Sequence, residues 1–329
     1  MATRADFRSG EDRLIAQYFG PWATHPGALG LGDDAAFVKP PADCDLVLTT
    51  DALVEGVHFF KDDEPGTLAR KALRVNLSDL AAKGARPLGF MLSLALPQES
   101  SGDWLREFAE GLKADAEAFF CPLFGGDTVR SPVIMLSVAM FGAVPDGTMV
   151  RRAGATAGDS VMVTGTIGDA ALGLKARRDE LPELPASARK HLVSRYLLPQ
   201  PRTALGEAIR LHASAAMDVS DGLAGDLAKL CAASGVAAQV DAGRIPLSDA
   251  AKAALASDLA LIETILTGGD DYEVVCAVAP DKVAAFAAAA KTAGVALTKI
   301  GSFENGEGAK FIDAAGKPLQ FKRPSFSHF

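Results

Sequence analysis

The chain has 329 residues, a formal net charge of −8 and 49% hydrophobic residues, the profile of a globular protein long enough for two domains. No basic run exceeds a pair, which excludes direct electrostatic binding to nucleic acid. It does not exclude phosphates that arrive with cations.

The opening stretch MATRADFRSGEDRLIAQYFG carries charges throughout and lacks an apolar centre, so no secretory leader is expected. No run approaches the roughly 20 apolar residues that span a bilayer. A cytoplasmic setting follows as an expectation. In GLGDDAAF (30–37), Gly30, Gly32 and Ala35 spell a loose G-x-G-x-x-A, but the following AFVKP reads as a strand, against a dinucleotide fingerprint.

DLVLTT (45–50), FMLSLAL (90–96) and VIMLSVAMFGAV (133–144) read as strands, with helices near 67–84 and 103–119. This alternation implies α/β or α+β layers. The polar stretch VPDGTMVRRAGATAGD (144–159) reads as a junction between domains at 1–148 and 149–329. Beyond it come a strand at 160–165, helices near 168–178 and 187–197, a strand at 215–219, and a helix at 221–233 with Gly235 as its left-handed stop. A strand at 272–279, the Ala-rich helix DKVAAFAAAAKTAG with Asp281 as N-cap and Gly294 as stop, and the strand VALTKIGSF complete the series. Cys44, Cys121, Cys231 and Cys276 form no C-x-x-C and are expected as reduced thiols, mostly buried.

Six segments place acidic groups at expected turns or element ends: GLGDDAAF, TTDALVEGVHF, NLSDLAAKGARP, GGDT, MDVSDGL and GGDDYE. Singly, each is an ordinary turn or helix cap. The helix at 67–84 argues for more. Leu68, Ala72 and Val75 share one face, and at 100° per residue Asp79 returns almost to the same direction. A carboxylate turned inward needs a cation or hydrogen-bond donors; Lys83 one turn on, or a metal, meets that need.

Thr49, Thr50 and Asp51 end a strand, a usual place for ligands, and their oxygens suit magnesium better than zinc. No P-loop and no G-x-S-x-G occurs. Asp33 and Asp34 would repel a bare pyrophosphate by roughly 4 kcal/mol per charge pair at about 4 Å and an effective dielectric near 20. His58 is the one histidine inside a candidate motif. Arg151 and Arg152 are placed either to contact phosphate or to sit on a solvated turn.

Together, GLGDDAAF, TTDALVEGVHF, KALRVNLSDLAAKGARP, FGGDT, MDVSDGLAGDL and GGDDYEV resemble, in order and spacing, the thiamine-monophosphate kinase family, within the superfamily of aminoimidazole ribonucleotide synthetase and selenophosphate synthetase. The resemblance implies two α/β (α+β) domains: an N-terminal mixed sheet that pairs across a homodimer and binds ATP and magnesium, and a C-terminal α/β domain that completes the active site, with ATP in a cleft lined by both. It implies direct transfer of the γ-phosphoryl group of ATP to thiamine monophosphate. The family's magnesium ligands fall on Asp34, Thr49, Thr50, Asp51, Asp79, Asp127, Asp218 and Asp221, with Asp51, Asp79, Asp127 and Asp218 in the catalytic role. Its nucleotide contacts fall on Gly126, Asp127, Arg152 and Ser220, and its acceptor contacts on His58, Asp270 and Phe321.

Two positions depart from the pattern. Asp270 stands where relatives often have Glu, and Phe321 where relatives can present Trp. A related enzyme with another acceptor is the alternative, but the selenium branch's reactive N-terminal Cys and Lys pair is missing, and EGVHF with GGDDYE disfavours the ribonucleotide branch. A metal-binding protein without catalysis would leave Arg152 and the Gly-flanked motifs unexplained.

Overall fold

The computed structural model describes residues 10–323 and 325–326. The first nine residues of the stretch read for a leader, and residues 324 and 327–329 of the tail, lie outside the described residues. The chain divides into two compact units, Met1–Asn76 with Pro87–Ala143, and Leu77–Arg86 with Val144–Phe329.

The first unit contains α1 (Gly10–Leu14), β1 (Cys44–Val54), the start of α2 (Pro65–Ala82), β2 (Arg86–Leu96), α3 (Gly102–Ala118), β3 (Leu123–Arg130) and β4 (Met135–Pro145). Its sheet runs in the order β1-β4-β2-β3, with β2 and β3 parallel. Alternation along the strands separates two faces. Val47, Leu92, Leu94, Leu136, Val138 and Met140 are buried, whereas Leu48, Met91, Val129 and Met135 are exposed, Leu48 by 73%.

α2 begins with Pro65, whose missing N–H costs nothing in a first turn. From Leu68 to Ala82 nearly every side chain is buried, so α2 is a core helix rather than a surface one. It crosses α3 at two glycines: a Cβ on Gly111 would lie 2.3 Å from the Gly66 carbonyl oxygen. Arg70 and Arg74 of α2 both bond the buried Asp115 of α3, Arg70 at 3.0 Å. The division between units falls inside α2, after Asn76.

The second unit continues with β5 (Ser160–Thr164), α4 (Asp169–Arg177), α5 (Ala186–Leu197), α6 (Gly206–His212), β6 (Ala213–Val219), α7 (Leu223–Ser234) and β7 (Ala237–Asp241). Then follow α8 (Asp249–Ser257), α9 (Leu261–Thr267), β8 (Glu273–Val278), α10 (Val283–Thr292), β9 (Leu297–Glu304) and β10 (Gly308–Ile312). The sheet order is β10-β7-β9-β5-β8-β6, antiparallel except between β10 and β7. Both faces are covered: Val161, Val163, Met217 and Val275 join one core, and Met162, Ala216, Val274 and Phe286 the other. That is why these strands read as continuous apolar runs.

Gly235 and Gly294 end α7 and α10 at φ 69° each, as expected. Other local readings need correction. AFVKP is irregular rather than a strand. α10 starts at Val283 with Lys282 at its cap position, so Asp281 is not its cap. The first GGD is no turn: Gly125, Gly126 and Asp127 lie inside β3, where a Cβ on Gly126 would come within 1.8 Å of the Leu92 carbonyl oxygen. Its glycine is demanded by the close approach of β2. No helix among the described residues is long and apolar enough to cross a membrane.

Substituting Gly111→Ala should lower stability by about 1–3 kcal/mol, because α2 and α3 must separate to admit the methyl group. The urea unfolding midpoint reads this directly, and an unchanged midpoint would contradict the close crossing.

Candidate active site

In the first unit, β1 presents its candidates on opposite faces. Thr49 and Asp51 are half-buried, while Thr50 is exposed with its Oγ1 3.5 Å from Ser137 Oγ. β1 runs on to Val54, so Thr49, Thr50 and Asp51 lie inside the strand rather than at its end; Asn76 of α2 pins it there, its Oδ1 accepting the Asp51 N–H at 3.0 Å. His58 Nδ1 accepts the Val54 N–H at 3.0 Å, which leaves the neutral ring's proton on Nε2. Lys71 donates to the His58 carbonyl at 3.3 Å.

Asp127 pairs in register with Ser93 and is exposed, on the face that carries Met91 and Val129. Asp51 lies on β1 and Asp127 on β3, with β4 and β2 between those strands in the sheet order.

Beside Asp127 opens a cleft lined by apolar Ile15, Phe19, Leu31 and Phe124, by the Gly126 backbone and by polar Asp33 and Thr128. The GLGDD segment approaches this cleft through a strained turn, with Leu29, Gly30 and Leu31 at φ 50°, 65° and 55°. Two left-handed leucines in three residues are uncommon and cluster at functional sites. Asp34 follows, exposed. The apolar wall supplied by Ile15 and Phe19 was not read from the sequence, where nothing marks that segment as part of a site.

In the second unit the end of α2, the junction and β6 bring four candidates together. Lys83 donates to the Ala216 carbonyl at 2.9 Å, and the junction runs alongside, with Val150 N–H on the Lys83 carbonyl and Ala216 N–H on the Arg151 carbonyl. Burial lowers the Lys83 pKa; Asp218 opposes that shift, Arg152 adds to it, and Asp79 opposes it. Thus Lys83 feels the charges of Asp218, Arg152 and Asp79. Asp218 is buried on β6 opposite Val274, and Asp79 is half-buried.

The two acidic turns of this unit are also joined. Asp270 N–H donates to the Ser220 carbonyl and Tyr272 N–H to the Val219 carbonyl, both at 2.8 Å. Asp270 and Tyr272 adopt φ 72° and 52°, a conformation that strains side-chain-bearing residues. Asp221 is engaged otherwise: its carboxylate takes Lys229 Nζ at 2.6 Å, and the same amine reaches the buried Asp226 at 2.8 Å. Phe321 lies edge-on to the core ring of Phe311, centroids 5.6 Å apart.

Glu273 and Asp271, quoted within the GGDDYE motif but not singled out, serve the scaffold. Glu273 is fully buried and binds Arg195, Arg202 and Thr164. The Asp271 carboxylate accepts the Gly168 and Ala170 N–H groups at the start of α4, and burial raises its pKa well above the ordinary value.

The donors are carboxylate and hydroxyl oxygens, the chemistry of a hard cation. Among the described residues no three His, Cys, Asp or Glu side chains converge into a metal cage. Cys121 and Cys276, buried and pushed up to about 12, hold no thiolate to compete for metal.

Residues 32–144 match the family model of the AIR synthase related protein N-terminal domain, and residues 156–314 that of its C-terminal domain. The chain is 45% identical to a thiamine-monophosphate kinase of Caulobacter vibrioides over 86% of this chain and 80% of that one. The crystal structure of thiamine-monophosphate kinase from Stenotrophomonas maltophilia aligns at 41% identity and TM-score 0.80, covering 88% of this chain and 90% of that one. AaThiL complexed with AMPPCP and TMP aligns at 34% identity and TM-score 0.78, covering 91% of each chain.

Replacing Lys83 by Met should cost about 1–3 kcal/mol, since the Ala216 carbonyl loses this donor and Asp79 and Asp218 lose a cation they share. Chemical denaturation compares the two proteins. Equal midpoints would show that Lys83 organises nothing.

Proposed function

The chain belongs to the AIR synthase related family and to its thiamine-monophosphate kinases, and from that premise we propose that it phosphorylates thiamine monophosphate with ATP, giving thiamine diphosphate and ADP. The observation that carries this reading is the likeness, along 91% of both chains, to a relative complexed with AMPPCP and TMP. An oxygen of the acceptor phosphate forms a bond to the γ-phosphorus as the bond from that phosphorus to the β,γ-bridging oxygen breaks, and ADP carries away the electron pair. The acceptor oxygen is already ionised near neutral pH, so no strong general base is needed. Charge repulsion and alignment are the obstacles.

Asp34, Thr49, Thr50, Asp51, Asp79, Asp127, Asp218 and Asp221 are the proposed oxygen donors for magnesium, over several ions. Bound magnesium would neutralise phosphate charge and align donor with acceptor. Gly126, Asp127, Arg152 and Ser220 would contact the nucleotide, with the base against the apolar wall of Ile15 and Phe19. Arg152 would add a cationic clamp.

On the acceptor side, His58 would offer Nε2–H to the phosphate. Asp270 and an aromatic of the tail would hold the heterocycles. Phe321 is the candidate from the resemblance; Phe326, half-exposed with its N–H on the Asp221 carbonyl at 3.0 Å, is the one nearer Asp270 along the backbone bonds.

The open apolar face with Leu48, Met91, Val129 and Met135 supports a homodimer joined through the first unit's sheets. Four free thiols support a cytoplasmic setting.

Purified protein given ATP, magnesium and thiamine monophosphate should form thiamine diphosphate, detected as its fluorescent thiochrome derivative, and Asp218→Asn should cut turnover by about 10²–10³. ADP release without that product would refute the acceptor, and full activity in the variant would refute the role of Asp218. Light scattering should give twice the chain mass, reduced to one chain by Leu48→Asp; a monomeric wild type would refute the dimer.

A further inference from the structure

We infer that Glu263 is a positioning residue for acceptor binding, acting through the C-terminal tail; this rests on the kinase reading above. Glu263 stands half-buried in the first turn of α9, the helix that leads into Gly268, Gly269 and Asp270. Its Oε1 accepts the main-chain N–H of Lys322 at 2.6 Å. A helix start favours a carboxylate, but that preference needs no contact with a main-chain amide 59 residues away.

The tail is therefore held at three successive points. Phe321 packs against Phe311, Lys322 N–H is bound by Glu263, and Phe326 N–H is bound by the Asp221 carbonyl with Ser325 Oγ beside it at 3.3 Å. The last anchor connects the tail to the acceptor side. Consecutive carbonyls, Ser220 and Asp221, receive the N–H groups of Asp270 and Phe326. One turn thus sets the half-exposed Phe326 ring and the Asp270 carboxylate relative to each other, and Glu263 sets where the tail enters that turn. The bond is to a main-chain amide, so the tail's side chains at 322 and 323 are free to vary without losing it.

Glu263→Ala should raise KM for thiamine monophosphate about tenfold, the scale of a lost charge-assisted hydrogen bond, while KM for ATP and kcat at saturation hold. Glu263→Gln keeps an acceptor oxygen and should stay within about twofold of wild type. Trypsin should cleave after Lys322 faster in the alanine variant than in wild type or the glutamine variant, as expected of a released tail. Unchanged KM for the acceptor, or unchanged cleavage, in Glu263→Ala overturns the inference. Failure of the kinase reading shows separately, as a wild type that makes no thiamine diphosphate.

Discussion

A carboxylate and a triphosphate repel each other, by about 4 kcal/mol for each charge pair at roughly 4 Å in a partly screened site. On the proposed reading, a protein of net charge −8 with aspartates in its cleft and along its strands takes a nucleotide with cations interposed. That reading accounts for both the acidic motifs and the scarcity of basic clusters.

The scaffold holds charge where solvent alone would not. α2 is buried along most of its length, pinned to α3 by paired glycines and the Asp115 ion cluster, and to β1 by Asn76. Its last turn belongs to the second unit, where Lys83 bonds to β6 and shares the field of Asp79, Arg152 and Asp218. In the same unit, two strained residues, Asp270 and Tyr272, are held by successive carbonyls of the β6 end. Such strain persists only where surrounding bonds over-determine it.

Helical period 3.6 offered Lys83 as the neighbour of Asp79, because both lie on one element; it did not place Asp79 in the core, since that residue is half-buried in a helix buried on nearly every side. Strong apolar runs located β1, β2, β4, β5 and β8. β3 was missed because its two glycines look like a turn locally, and only the approach of β2 explains them. Period 2 already implied that Thr50 faces away from Thr49 and Asp51. The pairing of Asp221 with Lys229, the apolar wall of Ile15 and Phe19, and the bond from Glu263 to Lys322 depend on tertiary placement. No pattern in the chain announces them.

The most direct test of the central claim is calorimetric titration of the protein with AMPPCP, in magnesium and again in excess chelator. Mediation by dications predicts saturable binding in magnesium and at least a hundredfold loss without it, about 2.7 kcal/mol of binding free energy. Equal affinity in both buffers would contradict it, since the aspartates would then be meeting the phosphates unaided.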